Sequence, residues 1–93
     1  MSEQANGLRE DLWTFPCSHN LKVMGLSHHP LVDIIAEIVR SEVPDFQPAD
    51  ARTLPSRTGK YHSITVTVQI ERREQLENIY RALATREEIS WTL

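Results

Sequence analysis

The strictest pattern in the chain begins at the polar turn Ser56-Arg57-Thr58-Gly59-Lys60 and runs through Tyr61-His62-Ser63 into Ile64-Thr65-Val66-Thr67-Val68-Gln69-Ile70. Ile64, Val66, Val68 and Ile70 recur at period two, so an extended backbone puts all four on one face and Thr65, Thr67 and Gln69 on the other. β-Branched residues at that spacing suit a strand with one buried and one open face, as in an antiparallel sheet covered on one side only. The longest strand is therefore expected over residues 62–71, entered through a hairpin in which Gly59 supplies the backbone freedom of the turn.

Two other stretches change period. Leu31, Ile34, Ile35, Ile38 and Val39 make the stripe of an amphipathic helix over residues 30–43, with Pro30 at a first-turn position and Pro44 as its stop. Leu76, Ile79, Tyr80 and Leu83 repeat the pattern over residues 72–85. Alternation from Cys17 to Met24, ending at Gly25, predicts a first strand, and residues 51–57 a second, pushed to an edge by Pro55. Ile89-Ser90-Trp91-Thr92-Leu93 alternates once more and closes the set as a last strand.

The order βαββαβ predicts an α+β, ferredoxin-like domain, with a four-stranded antiparallel sheet and both helices on one face. Its expected core is Ile34, Ile38, Val66, Val68, Leu76, Ile79, Leu83 and Trp91, while Thr65, Thr67, Gln69, Ser90 and Thr92 line the open face. Residues 12–93 make the domain, and the polar residues 1–11 read as a flexible tail with nothing to bury. Leu12, Trp13 and Phe15 form an apolar cluster between the two.

The formal net charge of −3 argues against phosphate-backbone binding, and the open face offers threonines and a glutamine where base stacking would need aromatics. No nucleic acid is expected as a partner. Cys17 is the single cysteine, so no intrachain disulfide can form. The first residues carry Glu3, Arg9, Glu10 and Asp11 without an apolar run, which leaves neither a signal peptide nor a membrane span and points to the cytoplasm.

From Phe15 to Leu93 the chain resembles the YbeD-like family of small bacterial proteins. The resemblance rests on Phe15-Pro16, Lys22-Val23-Met24-Gly25, Leu31-Val32-Asp33, Ser56, the group Gly59-x-Tyr61-His62-Ser63, and Leu93. It implies a ferredoxin-like fold similar to ACT-type regulatory domains, small modules that bind amino acids and dimerise to control metabolic enzymes. The segment Ser27-His28-His29-Pro30-Leu31 departs from the Asp-x-Pro-Gly-like turn common in those domains.

Chemistry is densest at the hairpin tip. Arg57, Gly59, Lys60 and Tyr61, with His62 or His28 if the fold brings them near, are the candidate ligand- or partner-binding residues, and Arg52 lies close in sequence. Two cations beside a glycine turn suit a carboxylate or phosphate. Tyr61 and His62 are neighbours on a strand, so they must point to opposite faces. Cys17-x-His19 offers a thiol and an imidazole on one side of a strand, two groups where zinc takes at least three and a catalytic triad needs a third. No metal, cofactor or catalytic residue is therefore expected. The role predicted is a non-enzymatic regulatory or binding module, a homodimer through an exposed sheet face or edge, sensing a small anionic metabolite; the alternative is an adaptor that docks a partner enzyme without a small ligand.

Overall fold

A computed structural model of the chain describes residues 14–92. The expected tail, Leu12, Trp13 and Leu93 lie outside the described residues. The elements are β1 (Cys17–Leu26), α1 (Leu31–Arg40), a 3-10 turn (Pro48–Asp50), β2 (Arg52–Pro55), β3 (Tyr61–Ile70), α2 (Arg73–Ala84) and β4 (Trp91–Thr92). The strands form one antiparallel sheet in the order β2-β3-β1-β4, the α+β ferredoxin-like arrangement. Among the described residues, no helix is long and apolar enough to cross a membrane.

The period-two residues of β3 do what their spacing dictates: Ile64, Val66, Val68 and Ile70 are buried, together with Leu21 and Val23 of β1. Onto that face pack Ile34, Ile35, Ile38 and Val39 of α1 and Leu76, Ile79 and Leu83 of α2, in one continuous core. β1 and β3 are in register from Cys17 opposite Ile70 to Leu26 opposite Tyr61, ten residues on each strand, and form the centre of the sheet.

Local chemistry moves several boundaries. α1 ends at Arg40, before the expected stop at Pro44, because the Ser41 hydroxyl donates to the Ile38 carbonyl at 2.6 Å and satisfies an end group of the helix. Phe46, in the stretch read as a plain connector, is buried, and its carbonyl accepts from Arg40 Nε at 3.1 Å. Gln75 is buried at the start of α2. Its side-chain oxygen accepts from the Glu71 and Arg72 amides at 2.7 and 3.0 Å, and its nitrogen donates to the Glu42 carbonyl at 2.9 Å.

β1 runs through Gly25 to Leu26 and does not end at the glycine. A Cβ at Gly25 would run into the Glu88 carbonyl and come within 2.8 Å of Leu31 Cδ2, so glycine here lets the turn before β4 and the start of α1 close on the strand.

Trp91 corrects the expected core. It is 45% exposed and stands opposite Met24 on the open face of the sheet. β4 has only two residues, so the alternation counted from Ile89 is not carried by a strand: Ile89 is buried from within a turn, its amide donating to the Arg86 carbonyl at 3.2 Å. Pairing begins with the Ser90 amide donating to the Met24 carbonyl at 2.8 Å. Thr92, expected on the open face, stands opposite the buried Val23 and belongs to the helix-covered side.

Candidate functional site

Cross-strand pairing turns the open face into a grid, since residues directly opposite each other share a face. Gln69 and Ser18 make the first row and Thr67 and Asn20 the second, joined by side-chain hydrogen bonds of 2.6 and 2.9 Å. The third row is Arg52, Thr65 and Lys22. The fourth is Leu54, Ser63, Met24 and Trp91, and Tyr61 with Leu26 forms the fifth. One half of the face is thus polar and the other apolar, with the two cations on the boundary.

The apolar half is open to solvent. Leu54 is 65% exposed, and the Tyr61 and Trp91 rings lie 5.5 Å apart at 47° across the top of β1. Lys60 Nζ sits 5.7 Å from the Tyr61 ring. Beneath these side chains Ser63 is buried, and its hydroxyl has no hydrogen-bond partner among the described residues.

The polar half holds a cleft of about 590 Å³ between the sheet and the 3-10 turn, lined by Asn20, Ala49, Ala51, Arg52, Thr65 and Thr67. Arg52 and Lys22 are exposed, and neither has an ion-pair partner among the described residues. The strand residues of this face include no carboxylate.

The fold divides the candidates from the hairpin tip. Gly59 takes a positive φ of 78°, as the turn requires, and its amide donates to the Ser56 carbonyl at 3.0 Å. The Lys60 amide donates to Thr58 Oγ1 at 3.4 Å, so both turn amides are engaged within the hairpin. Arg57 and Lys60 are exposed beside it. The Ser27 amide donates to the Lys60 carbonyl at 2.9 Å, which brings the loop carrying His28 next to the tip, where His28 packs on His29 with ring centroids 4.1 Å apart. Tyr61 joins the open face. His62 turns to the helix side, where a cleft of about 330 Å³ gathers it with His29, Asp33 and Thr53 at the start of α1.

Cys17 and His19 share a side, and it is the side that the helices cover. His19 Nε2 and the Tyr80 hydroxyl are hydrogen-bonded at 2.9 Å, with the rings edge to face. Burial lowers the His19 pKa and raises that of Tyr80, each by disfavouring the charged form. Among the described residues, no three His, Cys, Asp or Glu side chains converge as a metal site. The residues that sequence reasoning missed are Leu54, Met24, Leu26 and Trp91. Met24 and Leu26 did carry a signal, since they share parity with Lys22 on the open side of β1.

The family model described as "Protein of unknown function (DUF493)" matches residues 10–93. The chain belongs to that family. A UPF0250 protein of Neisseria gonorrhoeae is 45% identical over 87 residues, covering 94% of this chain and 93% of its own. Another from a Janthinobacterium species is 39% identical over 84 residues, covering 90% and 92%. These agree with the YbeD-like resemblance. The solution structure of HP0495 from H. pylori covers 100% of this chain and 98% of its own with a TM-score of 0.71 at 13% identity, a likeness of fold alone. The Gly59-x-Tyr61-His62-Ser63 group of the resemblance has a structural reading in this member of the family: Tyr61 and Ser63 build the apolar half of the open face, and His62 lines the opposite side.

Proposed function

We propose that this protein is a non-enzymatic cytoplasmic module that regulates a partner protein by docking the open face of its sheet on it. The observation that carries the reading is the row Leu54-Ser63-Met24-Trp91 with Tyr61 above it, large apolar side chains side by side on a face that no described helix covers. A cluster of aromatic and aliphatic side chains rimmed by polar ones is the composition of a protein-binding surface. His19 and Tyr80, a titratable pair that the fold joins, pack between sheet and helix, which fits a structural role better than a catalytic one.

The geometry favours docking over sensing of a small anionic metabolite at the hairpin tip. Tyr61 and His62 stand on opposite faces there, and the Gly59 and Lys60 amides are already engaged. A homodimer is the second reading, favoured by the uncharged hydrogen-bonded pairs Asn20–Thr67 and Ser18–Gln69, which a second copy could extend.

Two double variants separate the surfaces: Leu54→Ser with Trp91→Ser on the open face, and Arg57→Ala with Lys60→Ala at the tip. Each alters exposed side chains, so both should fold. In capture from cell extract the open-face variant should lose a partner that wild type and the tip variant retain. Loss with the tip variant instead, or identical captured sets for all three, would refute the docking reading.

A further inference from the structure

We infer that the segment received by the open face is an extended acidic one, with an apolar side chain on the Leu54-Met24-Trp91 row and a carboxylate two residues away between Arg52 and Lys22. This rests on the docking reading and names the chemistry of the partner. Three observations carry it.

The first is charge. The chain is net −3, yet this face bears two cations and, among its strand residues, no carboxylate. Arg52 and Lys22 have no ion-pair partner among the described residues, whereas Arg72 and Arg86 each do. A second copy laid face to face would bring like charges together, and an acidic segment answers both cations.

The second is spacing. Arg52 and Lys22 flank Thr65 on either side, two inter-strand steps or about 9.6 Å apart at the backbone, which leaves room above the threonine for a carboxylate. The cation row and the apolar row are alternate residues of the same strands, about 7 Å apart, and that is also the distance between side chains i and i+2 of an extended peptide. A segment with an apolar residue and an acidic one at that separation matches both rows at once.

The third is the cleft beside the cation row. The Thr67 hydroxyl donates to Asn20 Oδ1, which leaves the Asn20 amide nitrogen and the Thr65 hydroxyl as neutral donors of residues that line one cleft with Arg52. A cation with neutral donors around it suits a carboxylate, which has several acceptor positions to fill. Ala49 and Ala51 wall the cleft with small side chains and leave the approach open.

The test uses short synthetic peptides alternating leucine with glutamate, with glutamine, or with lysine, titrated into the full chain and followed by amide chemical shifts. The glutamate peptide should give saturable shifts at Lys22, Met24, Arg52, Leu54, Ser63, Thr65 and Trp91. The glutamine peptide should bind about tenfold more weakly or worse, and the lysine peptide weaker still. Arg52→Gln with Lys22→Gln should remove the preference for glutamate while leaving the remaining spectrum unchanged, and raised salt should do the same in the wild type. Equal affinity for the glutamate and glutamine peptides at these same residues would overturn the acidic assignment and leave the docking reading in place. Shifts elsewhere, or none with any peptide, would overturn both. A dimer in sedimentation that Leu54→Ser with Trp91→Ser dissociates would place a second copy on the face and overturn the inference.

Discussion

Gly25→Ala isolates one packing contact and has a sign that decides the matter. Gly25 lies in regular strand without a positive φ, so its backbone makes no demand for glycine. Were there space, alanine would stabilise the chain by about 0.4 to 1 kcal/mol by restricting the unfolded state. The structure predicts the reverse. The new methyl would meet the Glu88 carbonyl, a backbone atom that cannot rotate away, and would lie 2.8 Å from Leu31 Cδ2. Forcing an extra carbon into a filled site costs about 1 to 3 kcal/mol, and a clash with backbone belongs at the upper end, giving a net loss of about 2 kcal/mol. With a urea dependence of about 1 to 2 kcal/mol per molar for a domain this small, the midpoint should fall by about 1 to 2 M. The segment displaced would be the turn before β4, so exchange of the Ser90 amide, which donates to the Met24 carbonyl at 2.8 Å, should quicken more than that of the β1–β3 ladder. An unchanged or raised midpoint would refute the reasoning. Gly59→Ala is the control, because a Cβ there meets nothing within 4 Å and only the φ of 78° is strained, at a cost of about 1 to 2 kcal/mol with Ser90 exchange following global stability alone.

Burial orders two further substitutions. Ile79→Ala, at a fully buried site between α2 and the sheet, should cost about 2 to 5 kcal/mol in chemical denaturation, whereas Trp91→Ser, on the open face, should cost about 1 kcal/mol or less; the opposite ranking would return Trp91 to the core. Stability should also decline as pH falls below 6.5, the ordinary value for histidine. Burial lowers the pKa of His19 in the folded chain, so the unfolded state binds the proton more readily in that window. His19→Gln should flatten the decline, seen as a loss of pH dependence in the thermal midpoint. Glu88, its pKa lowered chiefly by the hydrogen bond from Arg86, acts in the separate window below 4.5.

The parts of the fold legible in the sequence are those in which one residue pattern extends over several turns or several strand positions. Seven residues of β3, Ile64 to Ile70, alternate without a break, and the stripes of α1 and α2 each extend over more than two turns, so the strand and helix assignments had many positions to agree on. Shorter elements gave no such redundancy. β4 has two residues, and whether Trp91 faces the core or solvent depends on the turn before it, which begins with the Ile89 and Ser90 amides and leaves no trace in the alternation. Gln75 was silent for another reason: its nitrogen donates to the Glu42 carbonyl in the segment after α1, a contact between residues distant along the chain.

The candidate surface shows the same division between what one strand reveals and what only pairing creates. Tyr61 was singled out by its neighbours in sequence, Arg57 and Lys60, yet in the sheet its ring meets that of Trp91, thirty positions on and two strands away. Arg52 entered as a residue near the hairpin. Its place comes from the register of β2, which sets it opposite Thr65 and in one row with Lys22. Each of these strands reads alone as a half-buried segment of no special chemistry. Pairing them in the order β2-β3-β1-β4 produces a cation row beside an apolar row, and the recognition proposed for this protein depends on that adjacency. A register shift of one residue would turn Arg52 and Leu54 to the helix side and dissolve the surface while leaving every strand intact.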